Sequence, residues 1–186
     1  LKMVFSMTEL FAQNDFQKLH AAKINSRVTK IPQCISFPSS YNFNSNKMDP
    51  YVLWISNIKK KKGIEVFLKI AEKMPDVKFI MVGGISDISY YNSLSTQINK
   101  LENIISKGYV QPSELISLIK EATMLLNTSH FEGFANTFLE AWSHGLPVVS
   151  YKIDPDNLLR DFALGYVSSD LDVLCSRIDL LLEDDN

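Results

Sequence analysis

Glu132 and Glu140 are separated by seven residues in the stretch Ser129-His130-Phe131-Glu132-Gly133-Phe134-Ala135-Asn136-Thr137-Phe138-Leu139-Glu140-Ala141-Trp142. That stretch follows an apolar run and opens a helical pattern. The first amides of a helix have no intrahelical acceptor. With the helix dipole they form an anion site suited to phosphate. Gly133 is expected to turn the chain with positive φ and to let a ligand approach the backbone closely. Glu132 falls in the turn before the helix and Glu140 about one turn inside it, so the carboxylates flank the anion site and do not form an adjacent acid-base pair. A carboxylate accepts hydrogen bonds well from vicinal hydroxyls. The spacing therefore suits a ligand with hydroxyls at both ends and phosphate in the middle, the layout of a nucleoside diphosphate sugar.

The elements that must position these residues alternate regularly from Tyr51 onward. Tyr51 to Ile55 is a continuous apolar run, as expected of a strand covered on both faces. Ile64, Phe67, Ile70, Ala71 and Met74 share one face of a helix from Gly63 to Met74. Val77 to Val82 is the next strand, closed by Gly83-Gly84. A polar helix over about Ser89 to Leu101 follows, then a short strand at Ile104-Ile105 leading to Gly108-Tyr109-Val110. Pro112 suits the first position of a helix carrying Leu115, Leu118, Ile119 and Ala122. Thr123 to Asn127 reads as a strand, Asn136 to His144 as a helix ended by Gly145, Pro147 to Tyr151 as a strand, and Asp170 to Leu182 as an amphipathic helix. This alternation predicts an α/β fold, a Rossmann-like parallel sheet with helices on both faces. Ligands bind such sheets at the carboxyl ends of the strands, which points to the loops after Ile55, Val82, Ile105, Asn127 and Tyr151. Earlier in the chain, Leu10 to Gln13 and Val28 to Ile31 read as short strands around a helix N-capped by Asn14. Residues 36–46, rich in Ser and Asn, read as a linker.

Bulk properties narrow the partners. The chain has 186 residues, 46% of them apolar, enough for a sizeable core. A net charge of −2 gives no case for a nucleic-acid partner or a charged membrane surface. No apolar run approaches the roughly 20 residues needed to cross a bilayer, and the first residues lack the pattern of a signal peptide. Cys34 and Cys175 show no metal-ligand spacing, so a cytoplasmic protein with reduced thiols is expected. The chain begins at Leu1 and not at Met, which fits a fragment.

Glu132-x7-Glu140 within F-E-G-F-A-N-T-F-L-E-A-W, followed by H-G-L-P-V-V-S, resembles the signature of family 4 retaining glycosyltransferases of GT-B architecture. The segments Leu53 to Gly63, Val77 to Gly84, Gly108-Tyr109-Val110, Asp154-Pro155-Asp156 and Leu164-Gly165 are similar to the same family's C-terminal domain, so the resemblance covers roughly residues 51–168. It implies that residues 1–35 are a remnant of an N-terminal acceptor domain, 36–50 an interdomain linker, and 51–186 the nucleotide-sugar-binding domain, expected to lack its final C-terminal helix. It implies transfer of a sugar from a nucleoside diphosphate sugar to a polysaccharide or lipid-linked acceptor, with no cofactor and no metal. Glu132 would hold donor-sugar hydroxyls and Glu140 the ribose hydroxyls. Gly133, Phe134, Ala135, Asn136 and Thr137 would line the sugar and diphosphate, Lys62 would contact the diphosphate, and Val110 would meet the base through its backbone. Gly84 and Asn57 complete the expected donor site. The family often carries Gly-Arg where this chain has Ser56-Asn57, which removes a positive charge that Lys59, Lys60 or Lys61 would have to replace. The isolated chain is expected to bind nucleotide and transfer little sugar, because the acceptor and its activating groups belong to the N-terminal domain. The full-length enzyme is expected to be cytoplasmic, with peripheral contact at the inner face of the membrane. A GT-B-fold sugar-nucleotide epimerase and a non-catalytic nucleotide-binding module are the competing readings.

Other residues have blander readings. Lys59 to Lys61 fit a solvated loop. His130 beside the motif fits a structural role better than a donor contact, His144 fits the last carbonyls of its helix, and His20 shows no partner. Asp154-Pro155-Asp156 has the form of a metal-chelating DxD, yet Pro155 fits a turn better.

Overall fold

The computed structural model describes residues 9–35 and 49–183. The linker expected over 36–46 lies outside the described residues. Strand β1 (Leu10–Ala12) and strand β2 (Val28–Lys30) pair in parallel on either side of helix α1 (Asp15–Ala22). Asn14 caps α1, its side chain accepting from the Gln17 N–H at 2.8 Å.

The main sheet has six strands: β3 (Val52–Ile55), β4 (Phe79–Val82), β5 (Ile104–Gly108), β6 (Met124–Asn127), β7 (Val148–Tyr151) and β8 (Gly165–Ser168). They lie in the order β5-β4-β3-β6-β7-β8, every pairing parallel. Side chains alternate across the pleat. Val52 and Trp54 therefore enter one core with Phe79, Met81, Met124 and Leu126, while Tyr51 and Leu53 enter the other with Ile80, Leu125 and Val148. Helices α2 (Ile64–Lys73), α3 (Ile88–Lys100) and α7 (Leu171–Glu183) close the first core. Helices α4 (Pro112–Glu121), α5 (Asn136–Ser143) and α6 (Leu158–Asp161) close the second. Each fully buried Leu, Ile or Phe stabilises this sandwich by about 1.5–3 kcal/mol relative to leaving it exposed. The fold is the expected α/β arrangement with helices on both faces.

Two elements go beyond the expectation. Helix α6 and strand β8 extend the sheet past β7. Gly165 enters β8 with φ 153°, and a Cβ there would sit 1.9 Å from the Val148 carbonyl oxygen, so only glycine lets this edge strand pair. Strand β5 runs on to Gly108 through a register shift against Met81 and Val82, which carries Tyr109 and Val110 to the carboxyl end of the sheet. Strand β4 begins at Phe79 and not at Val77. Sheet order reverses between β3 and β6, and that reversal opens a crevice at their carboxyl ends.

Polar contacts attach residues 9–35 to this body. The Lys30 ammonium pairs with Asp15 at 3.0 Å and with Asp156 at 2.5 Å. The Asp15 N–H donates to Asp156 Oδ1 at 2.8 Å. The Asn14 amide donates to the Gly133 carbonyl.

Candidate functional site

The chain leaves β3 through a 3-10 turn over Lys60–Lys62 and enters α2 at Gly63, whose φ is 62°. Glycine is required there for two reasons: the left-handed backbone, and a Cβ that would fall 2.1 Å from the Thr128 carbonyl oxygen. The loop after β6 locks this turn in place. The Thr128 hydroxyl receives the Trp54 indole N–H at 2.9 Å and donates to the Lys62 carbonyl at 3.0 Å. The His130 N–H donates to the Lys61 carbonyl at 3.0 Å. The Lys62 side chain is thus held toward the crevice by a buried hydrogen-bonded seam.

A cavity of about 350 Å³ occupies the crevice. Asn57, Lys59 and Lys62 line it from the loop after β3, Val110 from the loop after β5, and Thr137 from the first turn of α5. No side chain caps α5, whose N-cap is Ala135. The first amides of that helix therefore need an acceptor from outside it. Asn57, Lys62, Val110 and Thr137 are four of the residues that the sequence assigned to a donor, and the fold gathers them around one space.

The glutamates are placed differently from the expectation. Glu132 does not line this cavity. Its Oε1 accepts from the Lys62 ammonium and from the Ser129 hydroxyl at 2.7 Å, and its side chain is only 9% exposed. Both bonds fall on Oε1, which leaves Oε2 to accept from a ligand hydroxyl. Lys62 has three donors and spends one on Glu132, so it keeps two for an anion. Glu140 is half-buried one turn beyond Thr137, on the same side of α5. Burial pushes its carboxyl above the usual range, with His144 pulling in the opposite direction. Of the two carboxylates expected to flank an anion site, Glu132 is held in an ion pair with Lys62 at one end of the cavity and Glu140 sits one turn beyond Thr137.

Several individual expectations change. Gly133 is not among the positive-φ glycines; a Cβ there would instead meet the Gln17 amide at 2.6 Å, so glycine admits α1 and not a turn. Gly84 does not line the cavity; its N–H donates to Asn57 Oδ1 at 3.2 Å and braces that side chain. Gly83 lines the cavity in its place. Ala135 is buried in the second core, Phe134 is half-buried and Asn136 is exposed. Lys59 faces the cavity, whereas Lys60 and Lys61 are exposed outside it. Tyr109, 72% exposed, also lines the cavity. Its signal was its place directly after Gly108, at a strand's carboxyl end.

The histidines and the Asp pair are occupied within the fold. His130 Nε2 bonds Glu65 Oε1 at 2.9 Å. Partial burial raises the Glu65 carboxyl, but hydrogen bonds from Tyr90 and His130 outweigh that and hold it below its usual value. His144 Nδ1 meets the Glu140 carbonyl at 2.9 Å, as expected, and His20 Nδ1 meets the Phe16 carbonyl at 2.8 Å, a partner the sequence did not show. Asp154 Oδ1 accepts the Leu159 N–H at 2.9 Å and Asp156 holds Asp15 and Lys30, so this DxD closes a turn. Among the described residues, no three of His, Cys, Asp or Glu cluster, and no helix is long and apolar enough to cross a membrane.

Comparison with known proteins places the family and the fold. Residues 39–186 match the model of the family described as glycosyl transferases group 1. The chain is 29% identical over 136 residues to the poly(glycerol-phosphate) alpha-glucosyltransferase of Bacillus subtilis, covering 70% of this chain and 20% of that protein. It is 32% identical over 107 residues to the alpha-galactosylglucosyldiacylglycerol synthase of Streptococcus pneumoniae, covering 55% and 29%. It therefore spans about a fifth to a third of the length of these relatives. Among solved structures it is similar to an S. aureus TarM variant in complex with UDP, with a TM-score of 0.79 at 20% identity over 99% of this chain and 39% of that one. It is also similar to Anabaena HepE in complex with UDP-glucose, with a TM-score of 0.74 at 18% identity over 95% and 54%. At those identities the likeness establishes the shared GT-B-type Rossmann-like fold. The family match spans most of the chain, from near the start of the expected linker through every strand of the main sheet, and this chain belongs to the glycosyl transferases group 1 family.

Proposed function

We propose that the chain is the C-terminal, donor-binding domain of a retaining family 4 glycosyltransferase, and that a UDP-sugar is its donor. The observation that carries this reading is the single crevice in which Asn57, Lys62, Val110 and Thr137 converge before the uncapped start of α5. A diphosphate set there meets helix amides, the free donors of Lys62 and the charge of Lys59. Lys59 supplies the positive charge that Asn57 lacks. When the bond between the sugar's anomeric carbon and the diphosphate breaks, these groups stabilise the leaving charge without needing a metal. A new bond to an acceptor oxygen forms on the same face of the sugar, and the acceptor hydroxyl gives up its proton to the departing diphosphate oxygen.

Solved relatives in complex with UDP and UDP-glucose support uracil as the base. Curated relatives that act on a polyol phosphate and on a glycolipid support an acceptor of that kind. On this reading residues 1–35 belong to the acceptor side of a larger enzyme, and the isolated chain binds donor but transfers little sugar. The curated relatives named above are a glucosyltransferase and a galactosylglucosyldiacylglycerol synthase, and no observation favours an epimerase or a non-catalytic module.

Calorimetry with UDP and UDP-glucose tests the assignment. Glu140→Ala is expected to weaken both ligands about tenfold, equivalent to about 1.4 kcal/mol. Glu132→Ala is expected to weaken UDP-glucose more than UDP. Unchanged affinities in both variants would remove the site.

A further inference from the structure

Glu65 stands three residues after Lys62, in the first turn of α2. Long side chains of opposite charge at that separation come within pairing reach when nothing else holds them. Lys62 nevertheless pairs with Glu132, seventy positions away. Both oxygens of Glu65 are already taken. Its Oε1 bonds His130 Nε2 at 2.9 Å, and its Oε2 accepts from the Tyr90 hydroxyl. The two partners come from different elements: His130 from the loop after β6, Tyr90 from the first turn of α3.

The imidazole lies over the turn that joins Lys62 to Glu65. A Cβ on Gly63 would fall 3.3 Å from His130 Nε2, and Tyr151 meets the ring edge to face with centroids 6.2 Å apart. Partial burial raises the Glu65 carboxyl, but the hydrogen bonds from Tyr90 and His130 hold it below its usual value, so it is ionised at neutral pH. Burial and the Glu65 carboxylate push the Tyr90 phenol up, so it stays a donor. A full negative charge is therefore built into the turn that presents Lys62 to an anion. Glu65, His130 and Tyr90 all stand outside the donor cavity. The loop after β6 is already fixed to the turn through the Lys61 and Lys62 carbonyls. The two side-chain partners thus bear on the Glu65 charge more than on the course of the chain.

We infer that His130 and Tyr90 are positioning residues for the donor site: by occupying both oxygens of Glu65 they keep it from capturing the Lys62 ammonium, which leaves Lys62 to Glu132 and the diphosphate. The inference rests on the donor reading above. Once an oxygen of Glu65 is released, it draws Lys62 back across Gly63, and the diphosphate loses a charge-assisted contact.

Binding of UDP and of uridine, which has no diphosphate, to the whole chain tests this. His130→Ala is expected to weaken UDP about tenfold, the scale of one charge-assisted hydrogen bond, and to leave uridine unchanged. Tyr90→Phe is expected to act in the same sense from a helix that carries neither donor loop. His130→Gln, which keeps a donor near the Nε2 position, is expected to hold the native affinity. The deciding variant is Glu65→Gln added to His130→Ala. A neutral amide does not compete for an ammonium, so UDP affinity is expected to return although the imidazole is still missing. A simple packing defect would not be repaired from that position. The inference is overturned if His130→Ala binds UDP as the native chain does, if uridine weakens in step with UDP, or if Glu65→Gln restores nothing. Should His130→Ala not fold, Tyr90→Phe with and without Glu65→Gln makes the same comparison. Failure of UDP to bind the native chain would instead sink the donor reading. The Lys62 side-chain NMR resonances of the free protein then decide this one: they are expected to shift in His130→Ala and to return with Glu65→Gln, and constant resonances overturn it.

Discussion

On the proposed reading, the environment of Glu140 makes nucleotide binding sensitive to acid. Burial raises its carboxyl pKa, so on the acidic side part of the population is protonated in the free protein. A ribose that donates hydrogen bonds to this group favours the ionised form. Binding then releases a proton, and affinity rises as pH climbs through the Glu140 pKa and levels off above it. UDP affinity measured from mildly acidic to neutral pH is expected to show this rise, and Glu140→Gln is expected to flatten it. A rise that persists in Glu140→Gln would assign the proton to another group. Glu132 differs at the same scale. It is nearly buried, yet Lys62 and Ser129 already satisfy one of its oxygens. Removing Glu132 therefore frees Lys62 as well as deleting an acceptor, which is why its loss is predicted to separate UDP-glucose from UDP.

At the scale of elements, the junction of the Lys60–Lys62 turn, Gly63 and α2 carries the geometry of the donor cavity. Gly63→Ala adds a Cβ 2.1 Å from the Thr128 carbonyl and places it on a left-handed backbone. The backbone alone costs about 1–2 kcal/mol, and the clash falls on main chain that Trp54 and Thr128 hold in place. Chemical denaturation is expected to show a loss above about 2 kcal/mol. Gly108→Ala makes a matched comparison: φ is 65°, yet nothing lies within 4 Å of the added Cβ. It is expected to lose only the backbone part, about 1–2 kcal/mol. Equal losses in the two variants would show that the Thr128 contact yields easily. The His130–Glu65 bond ties the same turn to the loop that carries Glu132, so α2, β3 and β6 set the position of Lys62 jointly.

For the whole molecule, the junction between residues 9–35 and the sheet rests on a few polar contacts. Helix α1 has no buried residue. Phe11, Phe16, Leu19 and Ile31 are each at least half exposed. Lys30, Asp15 and Asp156 carry the attachment together with Asn14. Asp156→Ala removes the carboxylate that serves both Lys30 and the Asp15 amide. Hydrogen exchange is expected to speed up across residues 10–30 while the strands of the main sheet keep their protection. Added salt is expected to act in the same direction on the native protein, because partly exposed ion pairs are screened. Uniform exchange changes across the sheet would mean that the two parts unfold as one.

Local pattern was enough for the α/β class and for most of the elements, the start of α5 at Asn136 included, because apolar periodicity, Pro112 and Gly145 act within a few residues of themselves. Lys62, Asn57, Val110 and Thr137 were singled out by the family resemblance and not by spacing, and the fold gathers them around one cavity. Tertiary packing decided the rest. Glu132 turned away from the donor cavity because Lys62, seventy positions earlier in the chain, reaches it across the β3–β6 reversal. Gly133 makes room for Gln17 from a distant helix, and Asp156 serves Lys30 and the Asp15 amide. Strand β8 escaped notice because its pairing depends on Gly165 lying against Val148, a contact between elements. Ion pairs and close approaches of this kind join residues far apart in sequence, and no spacing along the chain encodes them.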